Sequence, residues 1–178
     1  MTILAYNMTM NKLLFFGNER LGTGLATTAP TLQELIAEGY NITGVVVAQK
    51  EIGKSRISKE QEVVQLAEAH NIPVFAPAKL AEIHDDLVAM KADAGVLVAY
   101  GKLVPQSIID IFPKGIINIH PSLLPLHRGS TPIESVILAG DKKTGVSLMQ
   151  LAAEMDAGPV YSQKTIELNG KETKQGLA

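Results

Sequence analysis

The sequence predicts an α/β fold: one open, mostly parallel β-sheet with helices on both faces. Short apolar runs recur along the chain, and segments with helical periodicity lie between them, separated by Gly or Pro turns. Strands that alternate with helices in this way form parallel sheets covered on both faces. The 178 residues are enough for one domain with its own core.

Predicted strands and amphipathic helices alternate in the first half of the chain. Thr31 and Glu34 have the spacing of a capping box, which predicts the start of a helix that Gly39 ends. Ser58 and Gln61 have the same spacing at the start of a second predicted helix, whose apolar residues share one face. The predicted strands of this half are residues 12–16, 42–48 and 73–77.

The same alternation continues through the second half. Ligands of parallel sheets bind beyond the carboxyl ends of the strands, which places residues 99–101 and 118–120 at the rim of a site. The predicted helices lie near residues 79–91 and 131–139, with a helical turn after Pro105, and the predicted strands are residues 95–100, 115–120, 144–151 and 160–168.

Composition argues against several classes of protein. The net charge of -2 excludes a broad basic surface, so we expect no DNA partner and only local contacts with any nucleic acid. No apolar run approaches the roughly 18 residues of a membrane-spanning helix, so no membrane partner is expected. The absence of cysteine excludes disulfides and thiolate metal sites and fits a reducing cytoplasm.

Common cofactor and catalytic motifs are absent from the sequence. GNERLGTGLA, after the first predicted strand, matches neither G-x-G-x-x-G nor G-x-x-x-x-G-K-[ST], so NAD and ATP are poor candidates. No Ser lies in a G-x-S-x-G turn, which leaves a hydrolase unsupported. His70 and His84 lie on polar helix faces as solvated side chains, and we expect no metal site.

Three polar residues remain as candidates for chemistry. Asn118 and His120 are two positions apart on a predicted strand, so their side chains project to the same side. An imidazole can move a proton near neutral pH and an amide can bind a developing oxyanion, a pair that suits attack on a carbonyl carbon. Asp156, in the turn MDAGP, is the candidate carboxylate that would orient the ring. Spacing alone does not show that Asp156 reaches His120.

Longer motifs surround these residues. NIHPSLLP, followed by RG and PI, then GVSLMQL and MDAGP, resembles the folate-dependent formyltransferase family, and VLVAYGKLVP and HNIPVFAP extend the resemblance upstream. It spans about residues 12–176 and implies a Rossmann-like formyltransferase fold. Within the family, RGSTPI and the helix after it are most similar to members that act on methionyl-tRNA.

The resemblance implies transfer of a formyl group from 10-formyltetrahydrofolate to the amino group of initiator methionyl-tRNA, by direct attack of the amine and a tetrahedral intermediate. Matched residue by residue, Asn118 would bind the oxyanion, His120 would help move the amine proton, and Asp156 would orient the imidazole. Prolines on the following loop would hold an apolar wall against the flat pterin. The positions that match the folate pocket are Ser122, Leu123, Leu124 and Pro125, together with Tyr100, Gly101 and Leu103.

A loop after the second predicted strand, QKEIGKSRISKEQ, corresponds to a basic loop that meets tRNA in the family. Glu51 and Glu60 dilute its charge. The candidate phosphate contacts are Lys50, Lys54, Arg56, Lys59 and Arg128.

The ends of the chain lead to expectations about its organisation. Residues 1–11 are expected to be a disordered lead-in and residues 12–178 a catalytic domain. NGKETKQGLA stops just after the predicted start of a helix, so the chain is expected to be truncated before its last helix and before the C-terminal domain that the tRNA enzymes carry. We expect a cytoplasmic monomer.

Two other functions stay open. A sugar-nucleotide N-formyltransferase would use the same donor and the same three residues on an amino sugar, although no pocket for a nucleotide diphosphate is evident in the sequence. A catalytically silent fragment that binds folate or a protein partner is the other. The intact set of Asn118, His120 and Asp156 argues against a silent fold.

Overall fold

A computed structural model describes residues 12–18, 29–48 and 62–178. Within these ranges the chain forms a seven-stranded sheet in the order β3-β2-β1-β4-β5-β6-β7. The first five strands pair in parallel, whereas β6 pairs antiparallel with both β5 and β7. The strands are β1 Lys12–Gly17, β2 Asn41–Val46, β3 Val74–Phe75, β4 Ala94–Val98, β5 Ile116–His120, β6 Lys143–Gln150 and β7 Val160–Glu167.

The helices lie between the strands in the predicted order, except for the last helix, which follows β7. They are α1 Pro30–Ala37, α2 Glu62–Ala69, a 3₁₀ helix Leu80–Ile83, α3 His84–Met90, α4 Gln106–Ile109, α5 Pro132–Ala139 and α6 Lys174–Leu177. Among the helices described, none has the length and apolar character needed to cross a bilayer. The predicted α/β class, with a mostly parallel sheet, is confirmed.

Helices cover both faces of the sheet, and the side chains of β1 alternate between the two buried clusters that form beneath these helices. Leu14 and Phe16 belong to one buried cluster with residues of the 3₁₀ helix, α3 and α4. Leu13 and Phe15 point the other way, into a second cluster with residues of α1 and α2. Because successive side chains of a strand face opposite sides, a strand buried on both faces must be apolar throughout. KLLFF meets that requirement after its first residue.

Two local predictions differ from the structure in detail. The N-cap of α1 is Ala29, with Pro30 as the first helical residue, so Thr31 lies inside the first turn and does not cap the helix. Proline is preorganised for that first position, which explains the earlier start. The single helix predicted near residues 79–91 is a 3₁₀ helix followed by α3, because Ile83 leaves the helical dihedrals with φ -113°.

The sheet topology favours a ligand-binding site near the centre of the sheet. The strand order reverses between β1 and β4, and ligands of open α/β sheets bind beyond the carboxyl ends of the strands at such a point. Gly17 ends β1 there with φ 141°, and a Cβ on it would lie 1.8 Å from the carbonyl oxygen of Val98. Only glycine therefore allows β1 and β4 to approach so closely at this edge.

The antiparallel extension at the other side of the sheet consists of β6 and β7. Gly145, Ser147 and Met149 are buried on one face of β6, whereas all eight residues of β7 are exposed. The pairing of β5 with β6 places His120 opposite Ser147 and Asn118 opposite Met149. The loop between β6 and β7 begins at the amino end of β5 and carries Asp156 back toward its carboxyl end.

Candidate active site

Asn118 and His120 form the base of the candidate site. Both lie on β5, both are buried, and both direct their side chains toward Asp156, as the alternation of a strand predicts. Buried polar side chains need partners, because an unpaired one loses the hydrogen bonds that water provided. The partners of these two residues come from the loop after β5 and from the loop after β6.

Asp156 links the two side chains. Asn118 Nδ2 donates to Asp156 Oδ1 at 3.5 Å, and His120 Nδ1 lies 3.7 Å from the same oxygen. The other oxygen, Oδ2, accepts the backbone N–H of Gly129 at 2.8 Å. Asp156 has φ 48°, in the left-handed region where aspartate is found more often than most residues. The structure thus brings together all three residues proposed for chemistry.

Both ring nitrogens of His120 face oxygen atoms. Nε2 lies 3.2 Å from the carbonyl oxygen of His127, and that oxygen can only accept, so Nε2 carries a hydrogen. Nδ1 faces the carboxylate of Asp156. Nδ1 therefore lies beside an oxygen that can accept a hydrogen bond whenever this nitrogen carries a hydrogen.

A cavity of about 490 Å³ opens on these side chains. Asn118 and His120 contribute to its floor, and Tyr100 and Gly101 line it from the end of β4. Residues 129–134, from the loop after β5 and the start of α5, form a further wall. The size lies in the range of small-molecule pockets, which is about 300–1,000 Å³.

The loop that follows His120 packs against β6. Ser147 Oγ donates to the carbonyl of Ser122 at 2.6 Å and accepts the N–H of Leu124 at 3.1 Å. Gln163 Nε2, from β7, donates to the carbonyl of Leu124 at 2.8 Å and to Ser147 Oγ at 2.9 Å. Within the described part of the chain, this network holds a loop that would otherwise bury unpaired backbone groups.

The structure separates the predicted folate residues into groups. Tyr100 and Gly101 line the cavity, but the loop residues do not, since Ser122 and Leu124 are buried against β6 and Pro125 is exposed. Leu123 has a side-chain atom 2.7 Å from where a Cβ on Gly145 would lie, away from the cavity. Leu103 is 77% exposed. Their roles in folate binding stay predictions.

Tyr100 is the cavity residue with a distinctive environment. Its side chain is buried, and its hydroxyl has no hydrogen-bond partner within the described ranges. Burial raises its pKa from the ordinary value of 10.0 to about 12, because the phenolate would lose its solvation. A polar group of a ligand at this wall would satisfy the hydroxyl.

Sequence reasoning missed an ion pair at the same cavity. Glu134, on α5, and Lys174, on α6, both line it, and Lys174 Nζ lies 2.5 Å from Glu134 Oε1. The hydrogen bond from Lys174 is the main cause that lowers the pKa of the Glu134 carboxyl.

Sequence reasoning also missed Ser147, although the pattern of β6 contained a signal for it. A serine at an inward position of an apolar strand needs a buried partner.

Several predicted residues have no contact with this site that the structure describes. Arg128 is exposed beside the cavity wall, and Lys50, Lys54, Arg56 and Lys59 lie outside the described residues. His70 is exposed and His84 partly exposed, on α3. Across residues 12–18, 29–48 and 62–178, no three metal-ligating side chains cluster, and the absence of a metal stays a prediction.

An open, mostly parallel sheet with a polar cluster at the carboxyl end of a central strand defines a Rossmann-like α/β protein with a ligand site at its rim. A profile described as formyl transferase matches residues 20–178, and the chain belongs to that family. The family predicted from NIHPSLLP and the other motifs is confirmed.

Two curated relatives of this chain are both named methionyl-tRNA formyltransferase. A methionyl-tRNA formyltransferase of Chloroflexus aggregans is 42% identical over 140 residues, which cover 77% of this chain and 45% of the relative. One from Lactobacillus gasseri is 35% identical over 171 residues, which cover 94% of this chain and 52% of the relative. The chain therefore spans about half the length of the curated relatives it matches.

Solved structures share the fold. A phosphoribosylglycinamide formyltransferase from Bacillus halodurans superposes with a TM-score of 0.74 at 24% identity, covering 94% of this chain and 85% of that one. A formyltetrahydrofolate deformylase from Pseudomonas syringae superposes with a TM-score of 0.75 at 20% identity, covering 96% and 55%. At these identities the likeness concerns the fold alone.

Proposed function

We propose that this chain transfers a formyl group from 10-formyltetrahydrofolate to the amino group of methionyl initiator tRNA. The observation that carries the proposal is the cluster of Asn118, His120 and Asp156 at the edge of a cavity. The identity of the chain to methionyl-tRNA formyltransferases, 42% over 140 residues for one of them, supports this choice of acceptor.

Asn118 is the proposed oxyanion donor. Its amide carries two N–H groups, and the 3.5 Å contact with Asp156 uses one at most. The second can donate to the carbonyl oxygen that gains negative charge when the amine attacks the formyl carbon. A neutral donor that is already fixed in place needs no reorganisation as the charge forms.

His120 is the proposed proton carrier, acting through Nδ1. The attacking amine must lose a proton after the new C–N bond forms, and the nitrogen of the departing folate must gain one. Asp156 faces Nδ1 and can accept a hydrogen bond from it while it carries the proton between these two transfers. Because Asp156 contacts both Asn118 and His120, it also fixes their relative orientation.

The donor supplies the formyl carbon, and two observations fit its binding here. The cavity has the volume of a small-molecule pocket, and the buried hydroxyl of Tyr100 lacks a partner within the described ranges. Tyr100 and Gly101, which line the cavity, would contact the donor there, and the exposed side chain of Leu103 would pack against its flat ring. The loop Ser122, Leu123, Leu124 and Pro125 is proposed as the support behind it.

A tRNA acceptor would add phosphate contacts near the cavity. Arg128 is exposed and directly precedes Gly129, whose N–H binds Asp156. In Arg128→Glu we expect a higher KM for tRNA and a weaker salt dependence, because each phosphate contact releases counterions. Lys91→Glu is the matched control, since Lys91 is exposed and lies before β4, at the amino edge of the sheet.

The deciding experiment offers acceptors in parallel. The 178-residue chain is incubated with 10-formyltetrahydrofolate and either methionyl initiator tRNA or an amino-sugar nucleotide, with free methionine as a third arm. A chimera that carries the remaining half of the Chloroflexus aggregans relative is assayed beside it. We expect formyl-methionyl-tRNA from both proteins, with a lower KM for the chimera.

Other products would change the conclusion. Formylation of the sugar alone would leave the three residues in place and refute the acceptor. Donor binding without transfer in both proteins, measured by calorimetry, would leave a folate-binding fold and refute the activity.

A further inference from the structure

His127 lies in an uncommon backbone conformation beside the catalytic imidazole. Its φ is 53°, in the left-handed region that residues other than glycine adopt infrequently. In this conformation its carbonyl oxygen points to Nε2 of His120, at 3.2 Å. Unfavourable backbone conformations persist where surrounding contacts hold them, so the contacts of His127 need an explanation.

The side chain of His127 is bound at a fixed point. Its Nε2 donates to Oδ2 of Asp141 at 2.6 Å, a short distance typical of charge-assisted hydrogen bonds. Asp141 follows Gly140, which ends α5, and precedes β6. Both side chains are partly buried, so water screens the contact less than at an open surface.

The two ends of the loop are held differently. At its start, Ser122 is bonded to Ser147 and, through its own hydroxyl, to the carbonyl of Leu126 at 2.7 Å. At its end, Gly129 donates to Asp156. Between these anchors, among the described residues, the side chain of His127 supplies the tie to the turn between α5 and β6.

We propose that His127 and Asp141 are positioning residues that fix the tautomer and orientation of His120. Asp141 holds His127, and the carbonyl of His127 keeps a hydrogen on Nε2 of His120, which leaves Nδ1, beside Asp156, as the nitrogen for proton transfer. The hydrogen bond at one ring nitrogen decides which tautomer the other presents, and the wrong tautomer disables proton transfer. The catalytic part of this inference rests on the proposed function; the structural part does not.

The test compares substitutions that remove or keep the tie. His127→Phe removes the donor and keeps a planar ring, whereas His127→Gly removes the side chain and accepts the positive φ without strain. Asp141→Leu removes the acceptor. His127→Gln keeps an N–H that can reach Asp141 and serves as the conservative variant. His84→Phe is the control, because it deletes another His–Asp pair, with Asp85, on the exposed surface of α3.

The first readout needs no activity. Ring ¹⁵N shifts of His120, recorded by NMR in mildly alkaline buffer, report which nitrogen carries the hydrogen. We expect the Nε2-protonated form in the unsubstituted chain, in His127→Gln and in His84→Phe. His127→Gly, His127→Phe and Asp141→Leu should shift toward a mixture of tautomers.

The second readout is formyl transfer. Displacement of a catalytic group by about 1 Å can lower a rate on the order of 100-fold, so we expect kcat to fall by about 10- to 100-fold in the three disrupting variants. The KM for the acceptor should change less than about threefold, since neither side chain of this pair lines the cavity. His127→Gln should recover most of kcat.

The outcomes separate the two proposals. If His127→Gly folds and its His120 ¹⁵N pattern equals that of the unsubstituted chain, the positioning role is refuted. If the pattern shifts but the unsubstituted chain transfers no formyl group to any acceptor, the positioning role stands and the proposed function falls. Equal kcat in His127→Gly and the unsubstituted chain would refute the catalytic part alone.

Discussion

The backbone N–H of Gly129 donates to Oδ2 of Asp156 at 2.8 Å, and this contact orients the carboxylate of the candidate site. With Oδ2 held, Oδ1 faces both Asn118 Nδ2 and His120 Nδ1. Two loops that are far apart in sequence thus meet at one carboxylate. Because Gly129 binds Oδ2, the single oxygen Oδ1 is left to face both the amide of Asn118 and the imidazole of His120.

Asp156→Asn is expected to abolish most formyl transfer without unfolding the protein. The amide oxygen can still accept from Gly129, but an amide nitrogen, which cannot accept a hydrogen bond, then faces His120 Nδ1. Loss of general acid–base function lowers kcat by about 10²- to 10⁴-fold. Steady-state kinetics with methionyl initiator tRNA, beside thermal unfolding, measures both properties.

Asp93→Asn is the matched control for this substitution. Asp93 also accepts a backbone N–H, from Lys12 at 2.8 Å, but it lies at the amino edge of the sheet. Its kcat should equal that of the unsubstituted chain. A kcat for Asp156→Asn within threefold of the unsubstituted chain would show that the carboxylate has no part in the reaction.

Periodicity predicted most of the scaffold but little of the contact between loops. The apolar runs gave the strands, and the two-residue spacing on β5 correctly placed Asn118 and His120 on one side. The contact of Asp156 with them depends on how the loop between β6 and β7 folds back, and no repeat encodes that path. Non-local loop geometry follows from packing against the finished sheet.

The network behind the loop was beyond prediction for a related reason. Ser147 reaches Ser122 and Leu124 only because β6 pairs antiparallel with β5 in one register. A slip of one residue would turn Ser147 to the other face. The alternation of β6 indicated an inward serine, but its partners lie 23 and 25 positions away in the chain.

Ser147→Ala should destabilise the fold. The substitution leaves the N–H of Leu124 without its acceptor and the carbonyl of Ser122 without its donor, both in a buried setting. Buried groups left unpaired cost about 1–3 kcal/mol each, so we expect a loss of about 2–4 kcal/mol in the free energy of unfolding. Urea denaturation followed by circular dichroism measures it.

Ser162→Ala supplies the comparison on the neighbouring strand. Ser162 lies on β7 opposite Leu148 and is exposed, so its loss should change stability by less than about 0.5 kcal/mol. Equal effects at the two serines would mean that the hydroxyl of Ser147 is not the link between β6 and the loop.

Lys174→Met should make the free energy of unfolding less sensitive to a fall in pH. Lys174 lowers the pKa of Glu134, so the folded state favours the carboxylate, and the resulting stability is present at neutral pH and lost as pH falls through the folded-state pKa. The pair is partly exposed, so its contribution should be about 1 kcal/mol or less and should decrease with salt. Denaturation at neutral and acidic pH, with and without salt, measures the difference.

Lys171→Met tests whether the effect is specific to the pair. Lys171 is exposed three residues earlier, and the ion-pair contact of Glu134 is with Lys174. The ¹³C titration of the Glu134 carboxyl should move to higher pH in Lys174→Met and stay in place in Lys171→Met. Identical titrations in both variants would contradict the pairing.

Tyr100→Phe should remove a loss of stability at alkaline pH. The folded-state pKa of Tyr100 is about 12 against an ordinary 10.0, so the folded protein keeps a proton that the unfolded chain releases. The stability that the retained proton contributes is fully present below pH 10 and is lost between pH 10 and 12. Over that range the free energy of unfolding falls with a slope approaching about 1.4 kcal/mol per pH unit. Because the hydroxyl is unpaired within the described ranges, the substitution should change stability little at neutral pH. Urea denaturation across the alkaline range, with the exposed Tyr40→Phe as control, decides it: an unchanged slope in Tyr100→Phe would place the titrating group elsewhere.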